Sequence, residues 1–108
     1  VKVMRAMSIA GARYIHIHVP CPLGWGAQPA DTIRIARLAV ESGLFPLIEA
    51  EQGEITGRYQ LRKRVPVEEY LKLQRRFAHL FGAKGDAQTI ASIQAIADRN
   101  VRLFGLQQ

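Results

Sequence analysis

The chain has 108 residues, a formal net charge of +6 and a single cysteine. Its 48% hydrophobic and 22% charged content is typical of a globular protein and excludes wholesale disorder. One cysteine excludes an intrachain disulfide framework and fits a reducing, cytoplasmic compartment. No apolar run is long enough to cross a bilayer, and the N-terminus lacks a signal-peptide pattern, so no membrane association is expected. The length fits one domain or part of one.

The basic residues are spread along the chain, apart from the run Arg62-Lys63-Arg64. Aromatic side chains are not interleaved with them, as a base-stacking platform would require, so we do not expect nucleic acid binding. The positive charge leaves two interpretations, which are a solvated basic surface and a docking surface for an acidic protein.

The first third of the chain contains a predicted helix, a strand and a loop. Residues 1–10 have helical apolar spacing, and Gly11 can end the helix. Residues 13–19 alternate in side-chain type, which predicts a strand. One face of this strand carries Ile15, Ile17 and Val19, and the other carries Tyr14, His16 and His18. Residues 20–30 are rich in proline and glycine and form a loop.

The middle third predicts a helix and a hairpin. Asp31 can cap a helix that runs to about Ser42, where Gly43 ends it. The expected apolar stripe of this helix is Ile33, Ala36, Val40 and Leu44. Residues 46–51 and 54–60 then form two strands that turn at Gln52-Gly53.

Two helices complete the predicted order. Pro66 begins the first, Gly82 ends it, and Arg75 and Arg76 lie late in it, where cations complement the helix dipole. Asp86 can cap the second helix. Its stripe is Ile90, Ile93, Ala97, Val101 and Phe104. The elements indicate an α/β fold, in which strand, helix and hairpin precede two terminal helices. The three predicted strands are too few to form a stable sheet by themselves. Residues 1–108 are therefore predicted to be one partial domain that completes a sheet begun upstream.

Cys21 is the candidate metal ligand of the chain. It lies between Pro20 and Pro22, directly after the predicted strand, and a Leu-Gly-Trp-Gly segment follows. Pro22 disfavours helical geometry at Cys21, so the turn is stiff and can project the thiolate outward. Trp25 could cover a metal group there and limit its exposure to water. An iron–sulfur cluster with all-cysteine ligation needs four thiolates, so this chain can supply only one of them.

Two other interpretations apply to the same segment. His16, His18 and Cys21 have nitrogen and sulfur donors that suit zinc. No fourth ligand is evident, and the other candidates are Asp31 and His79. Alternatively, the two histidines form a half-buried, hydrogen-bonded sheet face and Cys21 lies in a loop stiffened by proline.

Three segments in this order resemble a known family. They are the strand and turn from Tyr14 to Gly26, the helix and turn from Ile35 to Leu47, and the segment from Arg64 to Phe77, which contains Pro-Val-Glu-Glu-Tyr. The chain is similar over about residues 1–104 to the C-terminal part of the β subunit of 2-oxoacid:ferredoxin oxidoreductases, the pyruvate synthase family.

The resemblance implies a function for the whole subunit. Family members bind thiamine diphosphate with magnesium and a [4Fe–4S] cluster, convert a 2-oxoacid and coenzyme A to an acyl-CoA, and pass electrons to ferredoxin. It implies a thiamine-diphosphate-binding type of fold and makes Cys21 the fourth cluster ligand, with the other three cysteines and the thiamine motif upstream. Pyruvate is the expected substrate, and ferredoxin and other subunits are the expected partners. No catalytic residue is assigned to this chain, which alone is expected to be inactive. The alternative is a free-standing basic α/β module that binds zinc or an acidic protein.

Overall fold

The computed structural model describes all residues, 1–108, as a small α/β structure. Its elements are α1 (Lys2–Ser8), α2 (Pro22–Trp25), α3 (Thr32–Glu41), β1 (Ile48–Glu51), β2 (Glu54–Arg58), α4 (Val67–Lys72) and α5 (Ala87–Phe104), with 3₁₀ helices at Pro29–Asp31 and Arg75–Leu80. Helix α4 packs against both α3 and α5. None of these helices has both the length and the apolarity that a membrane crossing requires.

The main core lies where α3, α4 and α5 meet. Its buried members are Ile35, Leu38, Ala39, Val65, Val67, Tyr70, Leu71, Leu80 and Ala97. The predicted stripe of α5 is confirmed, since Ala97 is buried and Ile90 and Ile93 pack against the core. The predicted stripe of α3 is confirmed only in part, because Val40 and Leu44 pack against buried clusters, whereas Ile33 is 70% exposed and Ile35 is buried in its place. Helix α3 has apolar residues on two overlapping faces, and contact with α4 decides which of them is buried.

The predicted hairpin is confirmed. Strands β1 and β2 pair antiparallel, and a bulge interrupts the register between Glu49 and Ala50. The turn residues Gln52 and Gly53 both have positive φ, 52° and 85°. Two consecutive left-handed residues match the right-handed twist of the flanking strands, which explains why the turn falls here. Helix α1 lies beside the hairpin, where Arg5 forms a 2.6 Å ion pair with Glu49.

The prediction of one helix from Pro66 to Gly82 is wrong. Helix α4 ends at Lys72, Gln74 is extended (φ −127°, ψ 116°), and a 3₁₀ helix follows. The buried Gln74 side chain donates to the Tyr70 carbonyl at 2.7 Å and so satisfies a group at the end of α4. The backbone N–H of Arg75 donates to the Gly26 carbonyl instead of continuing the helix.

The predicted strand 13–19 is also not formed. Residues 12–21 carry no regular secondary structure, and no backbone hydrogen bond joins 13–19 to another segment. A strand needs a hydrogen-bonded neighbour, and residues 1–108 supply none for this segment. This extended arm, residues 12–21, and helix α1 are largely exposed. The radius of gyration is therefore 15.8 Å, larger than the value of about 13 Å for a compact domain of this length.

Two glycines allow a matched test of the core. Gly43 and Gly53 have nearly equal φ, 87° and 85°, but only Gly43 is crowded, because an added Cβ would lie 2.8 Å from Val101 Cγ2. We expect Gly43→Ala to lower the free energy of unfolding by about 2–4 kcal/mol and Gly53→Ala by about 1 kcal/mol. Urea unfolding followed by circular dichroism measures both. Equal losses would show that α3 does not pack closely on α5.

Candidate functional site

Cys21 lies on the surface as the residue that precedes the single-turn helix α2. Its backbone is extended (φ −112°, ψ 105°), as expected before a proline, and Pro22 begins the helix. The thiol is free and exposed. Its sulfur accepts a hydrogen bond from the Gly24 N–H at 3.4 Å. A backbone donor of this kind orients the sulfur, so the turn suits a metal-ligand thiolate.

The turn is fixed to the 3₁₀ helix at Arg75–Leu80. Gly26 ends α2 in the left-handed region, with φ 65°. Its carbonyl accepts a 3.1 Å hydrogen bond from the Arg75 N–H. A Cβ at position 26 would lie 2.7 Å from the Arg75 Cβ, so the backbones approach too closely for any residue but glycine.

Aromatic rings fill the space between the extended arm and the core. His18 lies 5.5 Å from Trp25, 5.0 Å from Phe45 and 6.2 Å from Tyr70, measured between ring centroids. His16 meets the edge of Phe45 at 5.2 Å. The interpretation of a half-buried, hydrogen-bonded sheet face is confirmed only for the burial of His18, because His16 is exposed, the segment forms no sheet and His18 Nε2 has no hydrogen-bond partner.

The surroundings of His18 favour its neutral form. Its Nε2 is buried and has no hydrogen-bond partner. Burial is the main cause that lowers the pKa of His18, and the charges of Arg76 and His16 lower it further. A neutral imidazole is compatible with its packing among the rings, since burying the charged form would cost more.

The sequence marked Arg76 only as a cation near the end of a predicted helix, yet it is central to this cluster of aromatic rings. Its guanidinium carbon lies 4.0 Å above the Trp25 ring and 4.6 Å from the Phe77 ring. Nε donates to Gln74 Oε1 at 2.8 Å, and Nη2 donates to the Tyr70 hydroxyl at 3.3 Å. No sequence pattern pointed to these contacts, because its position depends on the break in the helix before it.

The zinc pattern is not assembled. No three side chains of the His, Cys, Asp and Glu types come together as a possible metal site. His16 and His18 face the aromatic body, whereas the Cys21 thiol is exposed. The absence of such a group also bears on an iron–sulfur cluster, which needs several ligands. Cys21 fits as one thiolate ligand, and the remaining ligands would have to come from outside these residues.

The basic run is divided by the fold. Arg64 is half-buried and donates to Asp98 at 2.7 Å, while Arg62 and Lys63 are exposed. Asp98 also accepts from Gln94 at 2.9 Å. The hydrogen bond from Arg64, followed by that from Gln94, holds the pKa of Asp98 below its usual range. Arg64 therefore joins its loop to α5 and is not part of a free basic surface.

Comparison with known proteins shows close relatives of this chain. Pyruvate synthase subunit PorB of Methanosarcina barkeri is 50% identical over 106 residues, which cover 98% of the chain and 36% of that subunit. The PorB subunit of Methanocaldococcus jannaschii is 47% identical over 105 residues, covering 97% and 34%. Ketoisovalerate oxidoreductase subunit VorB of Pyrococcus furiosus is 41% identical over 91 residues, covering 82% and 29%.

No protein-family model matches this chain. The chain spans about a third of the length of the curated relatives it matches. The similarity nevertheless extends over nearly all of its residues, at a level of identity that indicates common descent and the same local structure. The chain belongs to the β-subunit family of the 2-oxoacid:ferredoxin oxidoreductases.

Proposed function

We propose that this chain is the C-terminal segment of a β subunit that takes part in the oxidative decarboxylation of a 2-oxoacid, with coenzyme A as acyl acceptor and ferredoxin as electron acceptor. Pyruvate is the proposed substrate, because relatives with 50% and 47% identity are named pyruvate synthase subunits. The observation that carries the proposal is the exposed thiol of Cys21, in a stiff turn of a chain that matches PorB over 98% of its length.

Within that enzyme, Cys21 would be one ligand of a [4Fe–4S] cluster. Such a cluster moves single electrons, at a potential set by its charge, its hydrogen bonds and its exposure to solvent. Thiamine diphosphate and magnesium would be bound mainly by residues outside this segment. The contribution of this chain is then positional: Pro22 sets the backbone of Cys21, and Gly24 donates a hydrogen bond to its sulfur.

The exposed apolar side chains of residues 1–23 support the assignment to a partial domain. Ten of the fourteen large exposed hydrophobic side chains lie within residues 1–23: Val1, Val3, Met4, Met7, Ile9, Tyr14, Ile15, Ile17, Val19 and Leu23. We propose that residues 13–19 add a strand to the sheet of the thiamine-diphosphate-binding fold, the rest of which then covers this apolar face. A free-standing module would leave the face in water, which disfavours the alternative.

The ligand role of Cys21 can be tested directly in the full-length subunit assembled with its partners. Cys21→Ala removes the thiolate, so we expect the electron paramagnetic resonance signal of one cluster to be lost or altered while thiamine diphosphate binding is kept. Ser92→Ala is the control, because it makes a similar small truncation on the exposed side of α5. An unchanged cluster spectrum in Cys21→Ala would remove this residue from the ligand set.

The basic surface generates a second prediction, which concerns docking of an acidic ferredoxin. Replacing both Arg62 and Lys63 by glutamate should lower the rate of ferredoxin reduction about tenfold at low salt, with the difference fading as salt rises. The matched control replaces Arg34 and Arg37 on α3 by glutamate. Both are also exposed, so this variant changes the net charge by the same amount. Equal effects of the two double variants would show that only net charge matters and that no local docking surface exists here.

A further inference from the structure

Arg76 carries a positive charge that the structure holds in place but does not neutralise. Its two side-chain hydrogen bonds go to neutral groups, the Gln74 amide and the Tyr70 hydroxyl. None of the ion pairs in the chain includes it. Although Arg76 is exposed, two ring faces and two hydrogen bonds hold its guanidinium in one position.

Trp25 connects this cation to the cysteine. The backbone N–H of Trp25 donates to the Cys21 carbonyl at 3.0 Å and so closes the single turn of α2. The guanidinium of Arg76 lies over the ring of the same tryptophan. The next residue after Trp25, Gly26, is bonded to the backbone of Arg75. The Cys21 turn is therefore held at two adjacent points by the two arginines, one through its backbone and the other through its side chain.

We propose that Arg76 is a positioning residue for the Cys21 ligand, which fixes the turn through Trp25 and places an uncompensated positive charge beside that turn. The inference rests on the proposed function, since it requires that Cys21 binds a cluster. Arg76 would then be a residue that does not bind the metal but affects the reduction potential of the cluster.

The charge has a defined consequence for redox chemistry. One-electron reduction makes the cluster and its thiolates more negative by one unit. A nearby cation stabilises the more negative state and so raises the reduction potential. Arg76 and His18 both lie against the Trp25 ring, and burial first, then the charge of Arg76, lowers the pKa of His18. Removing the charge should make the cluster harder to reduce.

The experiment compares three variants in the full-length subunit assembled with its partners. Arg76→Gln removes the charge and the stacked guanidinium, and Arg76→Lys keeps the charge but loses the planar stack. Arg75→Gln is the matched control, since it removes an equal charge one residue away and keeps the Cβ against Gly26. The cluster potential is measured by redox titration with electron paramagnetic resonance. The exposure of Trp25 is measured by iodide quenching, after subtraction of the fluorescence of a Trp25→Phe variant.

We expect Arg76→Gln to lower the midpoint potential and to increase quenching of Trp25, and Arg76→Lys to increase quenching with a smaller change in potential. Arg75→Gln should leave the quenching unchanged and shift the potential less than Arg76→Gln does. An unchanged potential and unchanged quenching in Arg76→Gln would overturn the inference, and so would equal potential shifts in Arg75→Gln and Arg76→Gln. A cluster that survives Cys21→Ala would instead overturn the proposed function, so the two failures are distinguishable.

Discussion

The arrangement of the candidate site depends on one buried amide, that of Gln74. Its side chain is almost fully buried, donates to the Tyr70 carbonyl and accepts from Arg76 Nε. These two bonds satisfy the amide at the point where the helix stops, so the break does not leave unpaired polar groups in the core. Because the chain is extended at Gln74, Arg75 can bond Gly26 and Arg76 can cover Trp25. A helix continued through Gln74 would bond the Arg75 N–H within itself and leave the Cys21 turn without this support.

Local signals in the sequence were sufficient wherever a structure is decided by neighbouring residues. The hairpin was predicted because Gln52-Gly53 suits a turn with two positive φ angles, and α5 was predicted because Asp86 caps it, which the 2.9 Å bond from the Thr89 N–H confirms. The apolar face of α3 and the break at Gln74 were not predictable, because both are decided by contacts with distant segments. Helical spacing fits two faces of α3, and nothing near Gln74 resembles a stop signal. Segment 13–19 has the alternation of a strand, but pairing requires a partner that periodicity cannot supply.

The candidate site was predictable in part for the same reason. Cys21 stands out because it is the only thiol and lies between prolines, and the stiff, exposed turn was expected from those neighbours. Its proposed role as one cluster ligand rests on the family resemblance, since a single thiolate carries no geometric signature. The His-x-His-x-x-Cys pattern suggested zinc, but Phe45 and Trp25 turn the two histidines toward the body while the thiol remains outside. The role of Arg76 lacked any signal, since its contact with Trp25 crosses about fifty residues of chain.

The orientation of segment 13–19 determines where the Cys21 turn lies relative to the exposed apolar face. Its His18 side chain packs on the body, and its aliphatic face is open, with Ile17 66% and Val19 67% exposed. Burying aliphatic surface is worth about 25 cal/mol per Å², so a face of this kind strongly favours a second surface that covers it. The Cys21 turn directly follows the segment and therefore lies at the boundary between the body described here and whatever covers the aliphatic face. A thiolate at such a boundary is well placed to share a metal group with ligands from the other side, while Arg76 and Trp25 hold it from this side.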